Sequence, residues 1–246
     1  MIKLLAALFA AGKLGKVAVT GGTMILSVFV YAFVFGIWYA VGFVLLLFVH
    51  ELGHYIAARQ RGLDVGMPTF IPFVGAWIQM KSLPHSVETE AYVGMAGPLV
   101  GTVGALVCYL LARSYDSNLL LALSYAGFFL NLFNLIPLSP FDGGRITAIV
   151  SPRVWLLGVP ILIALFLWKP SPMLILVALL AAPHVWKAVK FDRNAPENRD
   201  YYDVPVATRV NYGLVYVALA AYLAVMTGDV HDMLISAGVR GAGSTS

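Results

Sequence analysis

The stretch His50-Glu51-Leu52-Gly53-His54 holds the residue types needed for metal-assisted hydrolysis. On an α-helix, residues i and i+4 share one face, so His50 and His54 can reach a single ion. Two neutral imidazoles and a third ligand leave a fourth position open, the arrangement that suits catalytic zinc. Zinc lowers the pKa of a bound water to roughly 7, and Glu51, next to the first histidine, offers the carboxylate that serves as general base. The setting is unusual. Val41 to Val49 carries no charged residue, so the motif is sunk in a hydrocarbon-spanning helix. Two histidines and a glutamate at that depth are costly unless paired or bound to metal.

Asp142 is the best third ligand in the sequence. It follows Asn131-Leu-Phe-Asn134-Leu-Ile-Pro137-Leu-Ser-Pro140-Phe, where two prolines and two asparagines unwind a helix and free its carbonyls. Gly143-Gly144 lets the chain turn sharply after it. Broken helices of this kind usually build a site. The remaining histidines, His85, His184 and His231, lie in loops or at span ends and read as solvated side chains.

The elements that must position these groups are membrane spans. Of the 246 residues, 60% are hydrophobic and 11% charged, with a mean hydropathy of +0.85. Soluble domains carry about 25% charged residues. The net charge of +4 comes from basic residues in short loops between apolar runs, so it reports orientation in the membrane and not nucleic-acid binding. A single Cys108 excludes an intrachain disulfide and a cysteine-rich zinc site.

The expected fold is an all-α polytopic membrane protein of about six to seven transmembrane helices. Apolar runs place spans near 19–35, 38–58, 91–112, 119–136, 154–168, 173–186 and 212–226. Residues 1–16 read as an N-terminal surface segment, with a secretory signal as the alternative. Residues 17–227 form the membrane-embedded domain, and 228–246 a flexible polar tail. Between the second and third spans, Leu63 to Lys81 is apolar but broken by Pro68 and Pro72, and Phe73 to Met80 has strand-like composition. It is expected to form a short β-hairpin or re-entrant loop beside the metal site, because uncovered irregular backbone is not tolerated at membrane depth. Gly94, Gly97, Gly101 and Gly104 should let another helix approach the third span closely. All but three of the 16 Lys and Arg residues fall on the N-terminal side, the exceptions being Arg113, Lys169 and Arg240. The N-terminus and the nearby metal motif are therefore expected to face the cytosol.

With His50-Glu51-x-x-His54 in one span, Ala96-Gly97-Pro98 in the next and Asn134-x-x-Pro137-x-x-x-x-Asp142-Gly143 after the fourth, the chain resembles the site-2 protease family of intramembrane zinc metalloproteases. The resemblance runs from about Tyr39 to Ile146. It implies one zinc per chain on His50, His54 and Asp142, with Glu51 as general base. It implies that Asn134 polarises the substrate carbonyl or stabilises the oxyanion. It also implies that Gly75, Ala76, Trp77, Ile78, Gln79 and Met80 lie beside the substrate, a membrane-anchored protein held in the lipid bilayer. Two other classes fit the sequence less well. A metal transporter needs a polar path, and the spans hold no acidic residue besides Glu51 and Asp142. A catalytically silent scaffold would be marked by loss of Glu51 or a ligand, and all are present. No nucleic-acid partner is expected. Oligomeric state and the identity of the substrate are not written in the sequence.

Overall fold

The computed structural model describes residues 2–72, 75–77, 82, 84–193 and 195–243, with backbone alone for 2–17, 75, 77 and 239–243. It is 79% helical. The helices are α1 (Ile2–Phe35), α2 (Ile37–Gln60), α3 (Val87–Tyr115), α4 (Asn118–Asn134), α5 (Asp142–Thr147), α6 (Gly158–Trp168), α7 (Pro172–Val189), α8 (Pro196–Arg199) and α9 (Val206–Gly243). Two short strands, β1 (Thr69–Ile71) and β2 (Gly75–Trp77), lie between α2 and α3, and a 3₁₀ turn (Pro152–Leu157) precedes α6.

Among the described residues, five helices are long and apolar enough to cross a membrane: α1 from Ala18, α2, α3, α7 and α9 to Gly238. Two further apolar stretches, Asn118–Asn134 and Pro152–Trp168, are shorter. The outer surface fits hydrocarbon. Phe33 is 77% exposed, Leu167 76% and Trp168 76%, far too much apolar side chain for water to face. The protein is a multi-pass membrane protein.

Local chemistry sets the boundaries. A single residue, Gly36, separates α1 from α2, and its φ of 83° is a conformation that favours glycine. α2 ends in a Schellman turn: Gly62 at φ 73° donates to the Arg59 carbonyl, and Leu63 donates to the Ala58 carbonyl. Leu63 then packs on Ala57 and Ala58, and on Val93 of α3. α3 begins at Val87, earlier than its hydropathy indicates, because the Ser86 side chain accepts from Thr89 N–H and Glu88 and Glu90 occupy the first turn.

Both ends of the described chain are helical. Residues 2–16 are helical and continuous with the first span. The expected polar tail from residue 228 continues as helix to Gly243. Val230 is fully buried there, with Met233 and Leu234 packed against the α3–α4 cluster, so tertiary packing outweighs poor local propensity.

α2, α3 and α4 form the centre. α9 covers α4 through Leu219, Leu223 and Val230. α1 lies on α2 through Tyr31, Ala40, Val44 and Leu47. The hairpin joins the same cluster. Phe70 and Ala76 pack into it, Thr20 Oγ1 donates to the Pro68 carbonyl (2.6 Å), and Phe70 N–H donates to Thr23 Oγ1 (3.2 Å). β1 and β2 pair antiparallel, with Thr69 opposite Trp77, Phe70 opposite Ala76 and Ile71 opposite Gly75. The Phe70 N–H points to α1, so Phe70 and Ala76 are a pair whose backbone groups face away from each other's strand.

Candidate metal centre

α2 sets His50 and His54 one turn apart on its buried face, with ring centroids 4.8 Å apart and planes at 81°. Their Nε2 atoms are 3.1 Å apart. Asp142 Oδ2 lies 3.2 Å from His50 Nε2 and 3.1 Å from His54 Nε2. The three residues are 3%, 7% and 8% exposed. They are the one group of three potential ligands found among the described residues.

The donor set fits zinc. Tetrahedral ligands at bond lengths of about 2.0–2.1 Å are about 3.3 Å apart, close to each edge of this triangle. His54 Nδ1 lies 2.7 Å from the Val93 carbonyl, an acceptor only. Nδ1 must therefore carry the proton, and Nε2 presents a lone pair. His50 Nδ1 lies 2.8 Å from Asn131 Oδ1. Two imidazole nitrogens and a carboxylate oxygen thus converge in a buried space, and a divalent cation satisfies all three together.

The segment carrying Asp142 is built to press into this space. α4 stops at Asn134, and residues 135–141 run non-helically before α5 begins at Asp142. Their carbonyls need partners at this depth. Tyr216 of α9 donates to the Leu135 carbonyl (2.6 Å), and Phe141 N–H to the Leu138 carbonyl (2.9 Å). Trp155 Nε1 donates to the Gly144 carbonyl (2.8 Å), which ties α5 to the 3₁₀ turn. A Cβ on Gly143 would fall 2.3 Å from the Leu135 carbonyl oxygen, so only glycine lets α5 fold back so tightly.

The α3 glycines supply the opposite wall. A Cβ would lie 2.2 Å from His54 Nε2 at Gly97, and 2.3 Å from Asn131 Oδ1 at Gly101. At Gly104 it would meet Val49 Cγ1 at 3.2 Å, and at Gly94 the Arg145 Cβ at 3.0 Å. All four glycines therefore face the elements that carry the site.

Glu51 follows His50 on α2 and is half-buried, with no hydrogen-bond partner for its carboxylate among the described residues. Asn134 ends α4 and donates from Nδ2 to the Leu130 carbonyl (3.1 Å). No hydrogen bond joins it to the three ligands. Of the residues expected beside the substrate, Gly75, Ala76 and Trp77 form β2, and Ile78, Gln79 and Met80 lie outside the described residues. His184 is half-buried against the Trp155 ring, His231 is exposed with its ring 5.4 Å from that of Tyr125, and neither joins the three ligands. Sequence reasoning passed over Asn131 as a contact of His50. The one signal was a second polar residue on an otherwise apolar helix face.

Residues 38–117 match the family model for peptidase family M50. The chain is 37% identical to zinc metalloprotease MJ0392 of Methanocaldococcus jannaschii over 126 residues, which is 48% of this chain and 36% of that protein. It is 27% identical to the probable chloroplastic zinc metalloprotease EGY2 of Arabidopsis thaliana over 146 residues, 42% of this chain and 26% of that one. A putative zinc metalloprotease, MJ0611 of M. jannaschii, is 28% identical over 137 residues and is covered to 70% of its length. The chain thus spans about a third of MJ0392 and a quarter of EGY2. The part of the chain that holds both histidines is thus similar to peptidase family M50 and to proteins named zinc metalloproteases, in line with the site-2 protease resemblance of its motifs. The matched stretch holds both histidines and Glu51. Asp142 lies beyond it, and the fold brings that residue to the histidines.

Proposed function

We propose that this protein is an intramembrane zinc endopeptidase that hydrolyses peptide bonds within or near the transmembrane segments of membrane-anchored proteins. The carrying observation is a buried His50-His54-Asp142 triangle, in which α5 brings Asp142 to two histidines on α2, an apolar helix long enough to cross a membrane. Bound zinc supplies Lewis acidity, which polarises a carbonyl and acidifies water. The chain's own groups do the rest. His50, His54 and Asp142 hold the ion. Glu51 takes a proton from the attacking water as its oxygen bonds to the carbonyl carbon, and returns a proton to the amine nitrogen as the C–N bond breaks. The Asn134 amide donates to the carbonyl oxygen as negative charge develops there.

A peptide bond in a transmembrane helix is shielded, and its backbone groups are already paired, so the helix must unwind and find new partners. β2 offers them by adding the substrate as a further strand, with Ala76 presenting the outward N–H and carbonyl. The distribution of Lys and Arg supports a cytosolic N-terminus and a metal centre near the cytosolic face, from which water enters. The test is cleavage of a membrane-anchored substrate by the purified protein. Activity should vanish with a zinc chelator and return with added zinc. Chelator-insensitive cleavage would overturn the reading. Zinc flux into sealed vesicles without cleavage would favour a transporter instead.

A further inference from the structure

We infer that Asn131 is a positioning residue for the metal centre: its amide oxygen holds His50 in the tautomer that leaves Nε2 free to bind metal. The inference rests on reading His50, His54 and Asp142 as the zinc site. Asn131 sits in the last turn of α4 and is 1% exposed. A buried amide among apolar spans is costly unless both of its ends are used, and here both are.

Nδ2 donates to the Gly127 carbonyl one turn back, at 2.7 Å. That carbonyl only accepts, so the amide cannot be flipped without losing the bond. Oδ1 is thereby aimed at His50 Nδ1, 2.8 Å away. An amide oxygen also only accepts, so Nδ1 carries the proton. Nε2, across the ring, then faces His54 and Asp142 with its lone pair. For His54 the same task falls to a main-chain group, the Val93 carbonyl. The two ligands are thus oriented from different helices, His54 from α3 and His50 from α4. Gly101 keeps the amide in place, since a Cβ there would lie 2.3 Å from Oδ1 and 2.8 Å from Nδ2. Partners of this kind fix ring orientation and raise ligand basicity.

The experiment uses the purified full chain. It measures zinc affinity by competition with a chromophoric chelator, and the visible absorption of the cobalt-loaded protein. Asn131→Leu keeps the size and removes the acceptor, so zinc affinity should fall about 10–100-fold and the cobalt bands should shift. Asn131→Asp keeps an oxygen facing Nδ1, so both readouts should return toward the parent. A residue needed only for packing would be served as well by Leu and would show no rescue by Asp. If Asn131→Leu does not fold, Asn131→Ala, which adds no bulk beside Gly101, takes its place. Parental affinity in the acceptor-free variant, or an Asp variant as weak as it, would overturn the inference. His50→Ala separates the two levels of the argument. Zinc retained in His50→Ala would remove the metal site itself. Zinc lost there but held at parental affinity without the Asn131 acceptor would remove only the role of Asn131.

Discussion

Gly97 of α3 faces the His54 ring with no room for a side chain: a Cβ there would lie 2.2 Å from Nε2 and 2.4 Å from Cε1. His54 cannot turn away without giving up its 2.7 Å hydrogen bond to the Val93 carbonyl. Gly97→Ala should therefore displace the imidazole and leave purified protein with much less than one zinc per chain. Gly104→Ala is the control. Its Cβ would meet only the ends of Val49 and Leu46 at 3.2 and 3.3 Å, and its zinc content should match the parent. A fully loaded Gly97→Ala protein would mean that α2 and α3 can part at little cost.

The outward edge of β2 gives a second expectation. Ala76→Pro removes the N–H that points away from β1 and leaves the Thr69–Trp77 and Ile71–Gly75 pairs intact. One backbone hydrogen bond of about 1 kcal/mol corresponds to roughly fivefold in rate. Cleavage should fall by at least that factor while metal analysis shows unchanged zinc. Substrates with Gly in the cleaved span should be cut faster than partners carrying Leu there, because their helices unwind more easily. Equal rates in both comparisons would exclude strand addition.

Orientation is open to cysteine labelling. On a Cys108→Ser background, a cysteine at His85 should react with an impermeant thiol reagent only from the cytosolic side, and one at Tyr115 only from the opposite side. Both positions are exposed, and neither is the serine that caps α3 or α4. The reverse pattern would refute the reading of the basic residues.

The metal motif is legible in the sequence because i, i+4 spacing fixes two side chains on one face, whatever surrounds the helix. Asp142 is legible because prolines and glycines advertise a broken helix beside it. The contacts between helices are not legible. That Gly97 seats His54 and Gly101 seats Asn131 depends on how α3 crosses its neighbours, which no local pattern encodes. Asn131 itself looks like part of the break in α4, yet it lies inside the helix and bonds to His50. The long C-terminal helix was hidden for a related reason. Its glycines and polar residues argue for a tail, while Val230 and its neighbours pack into a core formed by α3 and α4. The hairpin was placed only approximately, because two three-residue strands give composition too little length to work on.

The central claim is that this zinc centre cuts peptide bonds and that Glu51 is its base. The most direct measurement pairs zinc content with cleavage of a membrane-anchored substrate in Glu51→Gln, which keeps the size and polarity of the side chain but removes the base. Zinc should stay at one per chain, and cleavage should fall by roughly 10²–10⁴-fold. A zinc-loaded Glu51→Gln protein that cleaves within a few-fold of the parent would contradict the account.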